Sequence, residues 1–188
     1  MNLLSIPSRL AVGITAMALA SGSCSSTPDA PLICPQVALV GDAMTITRFL
    51  PRRGEDQTDV DFTAELTDVD SQCTIVGGRD QDQTVVVTIT PAITAVRGPA
   101  NAERKATIDY LVSVTDQDQN ILSAQRFPVS VEFVGNRSRV TVIDNDPPVT
   151  VAIPLSQGRS ADDYQIFVAF QLAPQELEYN RRTQSARP

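Results

Sequence analysis

Apolar residues recur at every second position over much of this chain, which is the pattern of half-buried β-strands. From residue 58 to 66, Val60, Phe62, Ala64 and Leu66 alternate with polar residues, so one face of the segment is apolar and the other is polar. The same alternation is found at 36–40, 44–49, 84–90, 108–114, 129–133, 140–142, 149–153 and 164–172. The pattern therefore predicts about seven to nine short strands.

Turn-forming residues separate these segments. Clusters of Gly, Asp, Asn and Pro lie at 41–42, 51–54, 77–78, 115–120, 135–136, 145–148 and 157–158. Short strands and turns at this spacing predict an all-β protein, namely a single antiparallel β-sandwich of immunoglobulin-like type. A small β-barrel is the main alternative.

The alternation changes only near the C-terminus. The segment 173–182 has Pro174 at its start, acidic residues early and two arginines late, which suits a short helix and its dipole. The β-sandwich domain is therefore expected to span residues 34–182, with this helix at its end. Residues 183–188 are expected to form a disordered tail.

The first 23 residues have the pattern of a secretory signal peptide, with Arg9 before an apolar run at 10–20 that is too short to span a bilayer. Small residues and Cys24 follow. This segment resembles the lipobox of bacterial lipoproteins: Gly22, Ser23 and Cys24 match it, whereas Ser21 stands where the motif usually has Leu or another aliphatic residue. The resemblance implies cleavage before Cys24, acylation of Cys24, and a flexible tether over residues 24–33.

The same resemblance bears on location. Ser25 occupies the position where lipoproteins retained in the inner membrane often carry Asp, so the resemblance implies a periplasm-facing lipoprotein of the outer membrane, held by the acyl chains on Cys24. A soluble periplasmic protein released by ordinary signal peptidase is one alternative. An uncleaved membrane anchor is the other.

The cysteine count points to one disulfide. The chain has three cysteines, and if Cys24 carries the lipid, Cys34 and Cys73 remain as an even pair. The periplasm is oxidising, so we expect these two to be joined in a structural disulfide. A redox pair and a metal site are the functional alternatives, although neither a CxxC spacing nor a histidine is present to support them.

Charge and composition argue against several classes of function. The chain has 15 basic and 22 acidic residues, a net charge of −7 and no histidine. Nucleic acid is therefore an unsuitable partner, and the commonest general base and metal ligand are both missing. No sequence motif of covalent hydrolysis is present. We expect a protein that is not an enzyme and has no cofactor, with a carboxylate-based periplasmic hydrolase as a remote alternative.

Two groups of charged residues are candidate sites. Five Asp-x-Asp pairs could each hold calcium, because residues i and i+2 of a strand project from one face. The weak metal candidates are 144/146 and 116/118, and residues 142–148 loosely resemble the aspartate-rich linker of cadherin-like repeats. The pairs are Asp59/Asp61, Asp68/Asp70, Asp80/Asp82, Asp116/Asp118 and Asp144/Asp146. The alternative is that Asp59 and Asp61 lie on a solvated strand face and the other pairs lie in turns.

Arginines form the second group, near two turns and at the tail. They are Arg48, Arg52 and Arg53, then Arg137 and Arg139, and finally Arg181, Arg182 and Arg187. The planar guanidinium suits carboxylate and phosphate groups, so contacts with anionic headgroups or a protein partner are one interpretation. Scattered charges that keep the surface soluble are the other.

The body of the chain, from Cys34 through Phe49 to Cys73 and again over 167–181, is similar to uncharacterised small lipoproteins of Gram-negative bacteria. That resemblance implies an exported, lipid-anchored β domain, and it brings no activity and no site residues. The sequence thus favours a non-catalytic binding or structural module of the cell envelope, whose partner would be an envelope protein or a glycan. A calcium-dependent adhesion-type sandwich is the alternative.

Overall fold

Nine strands and one helix make up the described part of the computed structural model, which covers residues 33–51, 54–78, 83–155 and 159–185. The strands are β1 Gln36–Leu39, β2 Thr45–Phe49, β3 Val60–Val76, β4 Gln83–Arg97, β5 Lys105–Thr115, β6 Ile121–Glu132, β7 Arg139–Ile143, β8 Val149–Leu155 and β9 Gln165–Phe170. Helix α1 spans Pro174–Ser185, and short 3₁₀ turns lie at 41–43, 57–59 and 161–163. Every segment with period-two alternation is a strand.

The strands form two sheets, which confirms the predicted all-β sandwich. The four-stranded sheet has the order β1-β9-β5-β6. The five-stranded sheet has the order β2-β3-β4-β7, with β8 pairing a different stretch of β4. One pair differs from the expected antiparallel arrangement, because β1 runs parallel to β9. This pairing is possible because the whole domain separates the two strands in sequence, which leaves room for a crossover.

The core lies between the sheets and is built from the apolar positions of the alternating pattern. Its largest fully buried side chains include Tyr110, Phe133, Phe170, Ile46 and Leu66. The alternate residues of the same strands face outward, so each sheet has one buried and one solvated surface. The apolar stripe seen in the sequence is therefore the inner surface of the sandwich.

Strands β3 and β4 form a hairpin longer than the alternation indicates. Their ladder pairs Phe62 with Arg97 at one end and Val76 with Thr84 at the other. Asp68 and Asp70, expected in a turn, therefore lie within β3, where each carboxylate accepts the N–H of the next residue at 2.9 Å. The reason is that backbone pairing with β4 continues where the side chains of β3 are no longer buried.

The predicted disulfide is confirmed. Cys34 and Cys73 are bonded, with their Cα atoms 5.9 Å apart. Cys34 lies two residues before β1, a strand of the four-stranded sheet, and Cys73 lies in β3 of the five-stranded sheet. The bond therefore joins the two layers of the sandwich at the point where the domain begins.

Helix α1 docks through polar contacts. The ion pair between Arg181 Nε and Asp42 Oδ2 measures 3.0 Å, and Arg182 pairs with Glu55. The helix runs to Ser185, so the disordered tail predicted for residues 183–188 is corrected over its first three residues. The hydroxyls of Thr183 and Ser185 extend the helix by donating to carbonyl oxygens of the preceding turn at 2.8–2.9 Å. None of the helical residues in the described segments forms a stretch long and apolar enough to cross a bilayer.

Several sequence predictions fall outside the described residues. These are the signal peptide (1–23), Cys24 and the tether up to residue 32, the pair Asp80 and Asp82, and the arginines Arg52, Arg53 and Arg187.

Candidate functional site

Two rows of side chains run across the outer face of the five-stranded sheet, from β2 through β3 and β4 to β7. The first row consists of Thr45, Glu65, Thr94 and Thr141. The second row consists of Thr47, Thr63, Val96 and Arg139. Members of a row lie directly opposite one another, where Cβ atoms are about 4.5–5.5 Å apart. Their strand neighbours Ile46, Ala64 and Ala95 are buried on the core side, so the rows form the outer face of the sheet, on which Thr94 is itself buried.

Helix α1 forms a wall along the β2 side of this face. Asn180 is buried, and its Nδ2 donates to the carbonyl oxygens of Thr45 at 2.7 Å and Asp42 at 3.0 Å. The ring of Tyr179 meets the ring of Phe49 edge-on at a centroid distance of 5.3 Å. These contacts hold the helix against the edge strand and leave open a groove between the helix and the centre of the sheet.

We call this space the α1 groove. It has a volume of about 430 Å³ and is lined by both rows apart from Thr141, and on the helix side by Tyr179, Asn180, Thr183 and Gln184. This volume lies within the range of about 300–1,000 Å³ that is usual for small-molecule sites. The lining consists mainly of hydroxyl and amide groups.

Two charged side chains line the groove from different strands. Arg139 and Glu65 are both exposed, and neither forms an ion pair within the part of the chain that the structure describes. The hydroxyls of Thr94 and Thr141, next to Arg139 on the sheet, are hydrogen-bonded to each other at 2.8 Å. The groove thus exposes a guanidinium that has no ion-pair partner in the described residues, beside Thr94, whose hydroxyl is already bonded to that of Thr141.

A larger crevice, of about 660 Å³, lies at the start of α1. Here Arg48 Nε is 2.6 Å from Glu176 Oε1, and the other carboxylate oxygen of Glu176 accepts the N–H of Ala173 at 2.8 Å. Both groups are therefore engaged in holding the first turn of the helix. Arg126 also lines this crevice and is exposed without an ion pair in the described residues. The α1 groove is the better candidate for a binding site because most of its lining lies on the paired strands of one sheet face.

The weak metal candidates Asp144 and Asp146 both line a cavity of about 420 Å³ beside β6 and β8. Asp144 Oδ2 accepts a hydrogen bond from the buried Tyr110 hydroxyl at 2.6 Å. Asp146 is exposed in the turn that follows β7, before the cis peptide bond to Pro147. Asp144 is thus part of the support of a core tyrosine.

The pair at 116/118 lies in the turn between β5 and β6. The Asp116 carboxylate accepts the side-chain amide of Asn120 at 3.1 Å and its backbone N–H at 2.9 Å. These two hydrogen bonds hold the pKa of the Asp116 carboxyl below its usual value. Asp118 is exposed in the same turn. The Asp116 side chain therefore closes the turn, as aspartates in turns commonly do.

The pair at 59/61 is split between two elements. Asp59 belongs to the 3₁₀ turn before β3, which corrects its expected place on the strand. Asp61 lies in β3, where burial raises the pKa of its carboxyl and a hydrogen bond with Asn101 opposes that rise. No group of three or more His, Cys, Asp or Glu residues suited to a metal ion occurs in the described segments.

The contact between Tyr110 and Asp144 yields a prediction. Burial first, and then the hydrogen bond to Asp144, raises the pKa of the Tyr110 phenol above its ordinary value. Tyr110→Phe leaves the Asp144 carboxylate without its donor, so we expect a loss of about 1.5–3 kcal/mol in the free energy of unfolding at pH 7, measured by urea denaturation.

The pH dependence follows from the same shift. Above pH of about 10 the unfolded chain releases the Tyr110 proton while the folded chain retains it, so this contribution to the stability of the native protein falls as pH rises. We therefore expect the difference between the native protein and Tyr110→Phe to narrow between pH 9 and 11. Tyr164→Phe is the control, since its hydroxyl makes only a 3.4 Å contact with Pro154. A difference that stays constant with pH contradicts the assignment.

The sequence pattern placed Thr63 and Glu65 on the solvent face and singled out Arg139, but it did not bring them together. Thr45, Thr47 and Thr94 were not recognised as site residues. Their shared signal is a polar residue at each outward position of an alternating strand, and this signal becomes a site only when the register of four strands is known.

Comparisons with known proteins add little to this description. No protein-family model matches the chain, and neither does any curated protein. Among solved structures, the chain is similar to the variable (V) domain of the AgI/II polypeptide BspA of Streptococcus agalactiae, at 10% sequence identity over 72% of this chain and 77% of that chain. The TM-score of this match is 0.18.

Proposed function

We propose that this chain is a lipid-anchored, non-catalytic binding protein of the bacterial cell envelope, and that its ligand occupies the α1 groove. The observation that carries the proposal is the pair of rows, polar apart from Val96, that includes Arg139, whose guanidinium makes no ion pair within the described residues. Such rows expose hydroxyl, carboxylate and guanidinium groups on a rigid sheet, where their spacing is held by backbone pairing. A rigid arrangement of polar groups lowers the entropic cost of binding.

The lipid anchor is supported by the sequence around Cys24 and by the disulfide. The segment that ends in Ser23 and Cys24 resembles a lipobox, and the bond between Cys34 and Cys73 suits an oxidising compartment such as the periplasm. Acyl chains on Cys24 would hold the domain at the periplasmic face of the outer membrane through a tether of about ten residues.

The number of carboxylates that line the groove favours binding over hydrolysis. Glycoside hydrolysis uses two carboxyl groups on opposite sides of the scissile bond, and among the described residues that line the α1 groove Glu65 is the one that carries a carboxylate. We therefore propose that the groove holds a ligand without converting it.

The anchor is tested with Cys24→Ala in cells fed an alkyne analogue of palmitate. We expect the native protein to incorporate the label and to sediment with outer membranes on a density gradient, because acyl chains on Cys24 provide the anchor. The variant is expected to lose both the label and the sedimentation. Label on the variant, or its unchanged sedimentation, contradicts lipidation at Cys24.

The binding site is tested separately in intact cells with a photo-crosslinking amino acid. We place it at Gln184, which lines the α1 groove, and as a control at Thr107, an exposed residue of β5 in the other sheet. An adduct is expected at position 184 and not at 107. Equal adducts at both positions, or none at either, contradict a ligand in the groove.

A further inference from the structure

We infer that the α1 groove binds a glycan that carries carboxylate groups. This inference names the ligand class for the groove and rests on the binding function proposed above. It follows from three properties of the groove: the pairing of its floor strands, the chemistry of its lining, and the position of Arg139.

The two central strands of the floor, β3 and β4, are paired on both sides where they cross the groove, whereas β2 and β7 are edge strands. The floor is formed by β2, β3, β4 and β7, which are paired with one another in sequence across the sheet. A peptide that binds a sheet usually adds a strand to a free edge and uses main-chain hydrogen bonds. On the central strands of the α1 groove recognition therefore comes from side chains, which argues against an extended peptide lying across its centre.

The side chains of the floor are suited to sugar hydroxyls. Thr45, Thr47 and Thr63 each carry a hydroxyl that can donate one hydrogen bond and accept others, whereas the Thr94 hydroxyl is already bonded to that of Thr141. The ring hydroxyls of a glycan have the same mixed capacity, so a sugar can pair with neighbours in both rows. An acyl chain or an apolar peptide would instead leave these groups without partners, which is costly.

Arg139 supplies a charged contact at one end of the second row. Its guanidinium is exposed and makes no ion pair within the described residues. The planar fork of arginine binds both oxygens of a carboxylate in a fixed orientation. Glu65 lies in the neighbouring row and disfavours a densely anionic ligand, so the groove suits a polymer in which carboxylates are separated by neutral sugars.

A matched control variant lies two residues from Arg139. Arg137 is also an exposed cation without an ion pair in the described residues, but it does not line the α1 groove. Arg139→Gln and Arg137→Gln change the net charge of the protein equally. A general attraction between the protein and an anion is reduced by both substitutions, whereas a contact in the groove is reduced by the first alone.

The test is calorimetric titration of the full-length protein with a hyaluronan decasaccharide, with the same sugar after reduction of its carboxyl groups, and with neutral maltodextrin. For the native protein we expect carboxyl reduction to weaken binding about tenfold. Arg139→Gln is expected to show the same loss for the acidic sugar and no further loss for the reduced one, while Arg137→Gln stays within about twofold. Thr63→Val is expected to weaken binding of both forms.

Four results would contradict the inference. Equal binding of the acidic and reduced sugars, equal losses in Arg139→Gln and Arg137→Gln, or no binding of the acidic sugar each overturns the inference. Equally tight binding of a polyglutamate peptide, with the same dependence on Arg139, also overturns it in favour of an acidic peptide. The crosslinking experiment at Gln184 does not depend on carboxylates, so the proposed function can stand when this inference fails.

Discussion

Replacing both Cys34 and Cys73 with Ser is expected to lower the free energy of unfolding by about 4 kcal/mol. The two cysteines are 39 residues apart in sequence, and without their bond the unfolded chain recovers the entropy of that open loop. The native state also loses the connection between its two sheets. Urea denaturation of the native protein and the double variant measures the difference.

A reducing agent provides the internal control. The native protein with its disulfide reduced is expected to unfold at the same urea concentration as the double variant, because both lack the same constraint. The double variant is the proper comparison, since a single substitution leaves a free thiol that can form bonds between molecules. A loss below about 1 kcal/mol contradicts the stabilising role and indicates that the unfolded chain is already restricted in this loop.

Gly98→Ala is expected to have an effect of similar size, about 3 kcal/mol or more. A Cβ at this position would lie 2.1 Å from the carbonyl oxygen of Val60 and 2.8 Å from that of Asp61. Both are backbone atoms at the start of β3, so they cannot rotate away as a side chain does. Two backbone hydrogen bonds hold the loop after β4 against the start of β3: Gly98 N donates to Asp61 O at 2.8 Å, and Ala100 N donates to Val60 O at 3.0 Å.

Gly41→Ala is the matched control for this prediction. Gly41 lies in a 3₁₀ turn, and a Cβ there would have no atom within 4 Å. The stability of Gly41→Ala is therefore expected to stay close to that of the native protein in the same urea titration. If Gly98→Ala is as stable as Gly41→Ala, the close approach between the loop after β4 and the start of β3 does not determine stability.

The strands and the disulfide could be predicted for different reasons. Each strand can be recognised from its own residues, because successive side chains point to opposite faces and a half-buried strand therefore alternates apolar and polar residues. The pairing of Cys34 with Cys73 was predicted from the cysteine count, with Cys24 assigned to lipidation and an oxidising compartment expected. The distal half of β3 could not be predicted, since Asp68 and Asp70 are exposed there and only the ladder with β4 makes the segment a strand.

Only some of the groove residues could be predicted from the sequence. Thr63 and Glu65 are identified as outward-facing by their own strand, and Arg139 stood out as a charge near a turn. Arg139 lines the same groove as these residues because Thr63 pairs with Val96 and Val96 pairs with Arg139. These partners are tens of residues apart in sequence, and no local pattern specifies such a pairing.

The sequence by itself predicted an all-β protein, with a sandwich preferred to a small barrel, and it predicted which residues face its core; the pairing of Cys34 with Cys73 followed on the condition that Cys24 carries a lipid. Alternation and residue count are local properties, and they require no knowledge of what lies beside each strand. Only the tertiary structure decided the strand order, the parallel pair of β1 with β9, and the docking of α1 through Asn180. Those features depend on contacts between distant segments, where register and packing select one arrangement among several that satisfy the same alternation.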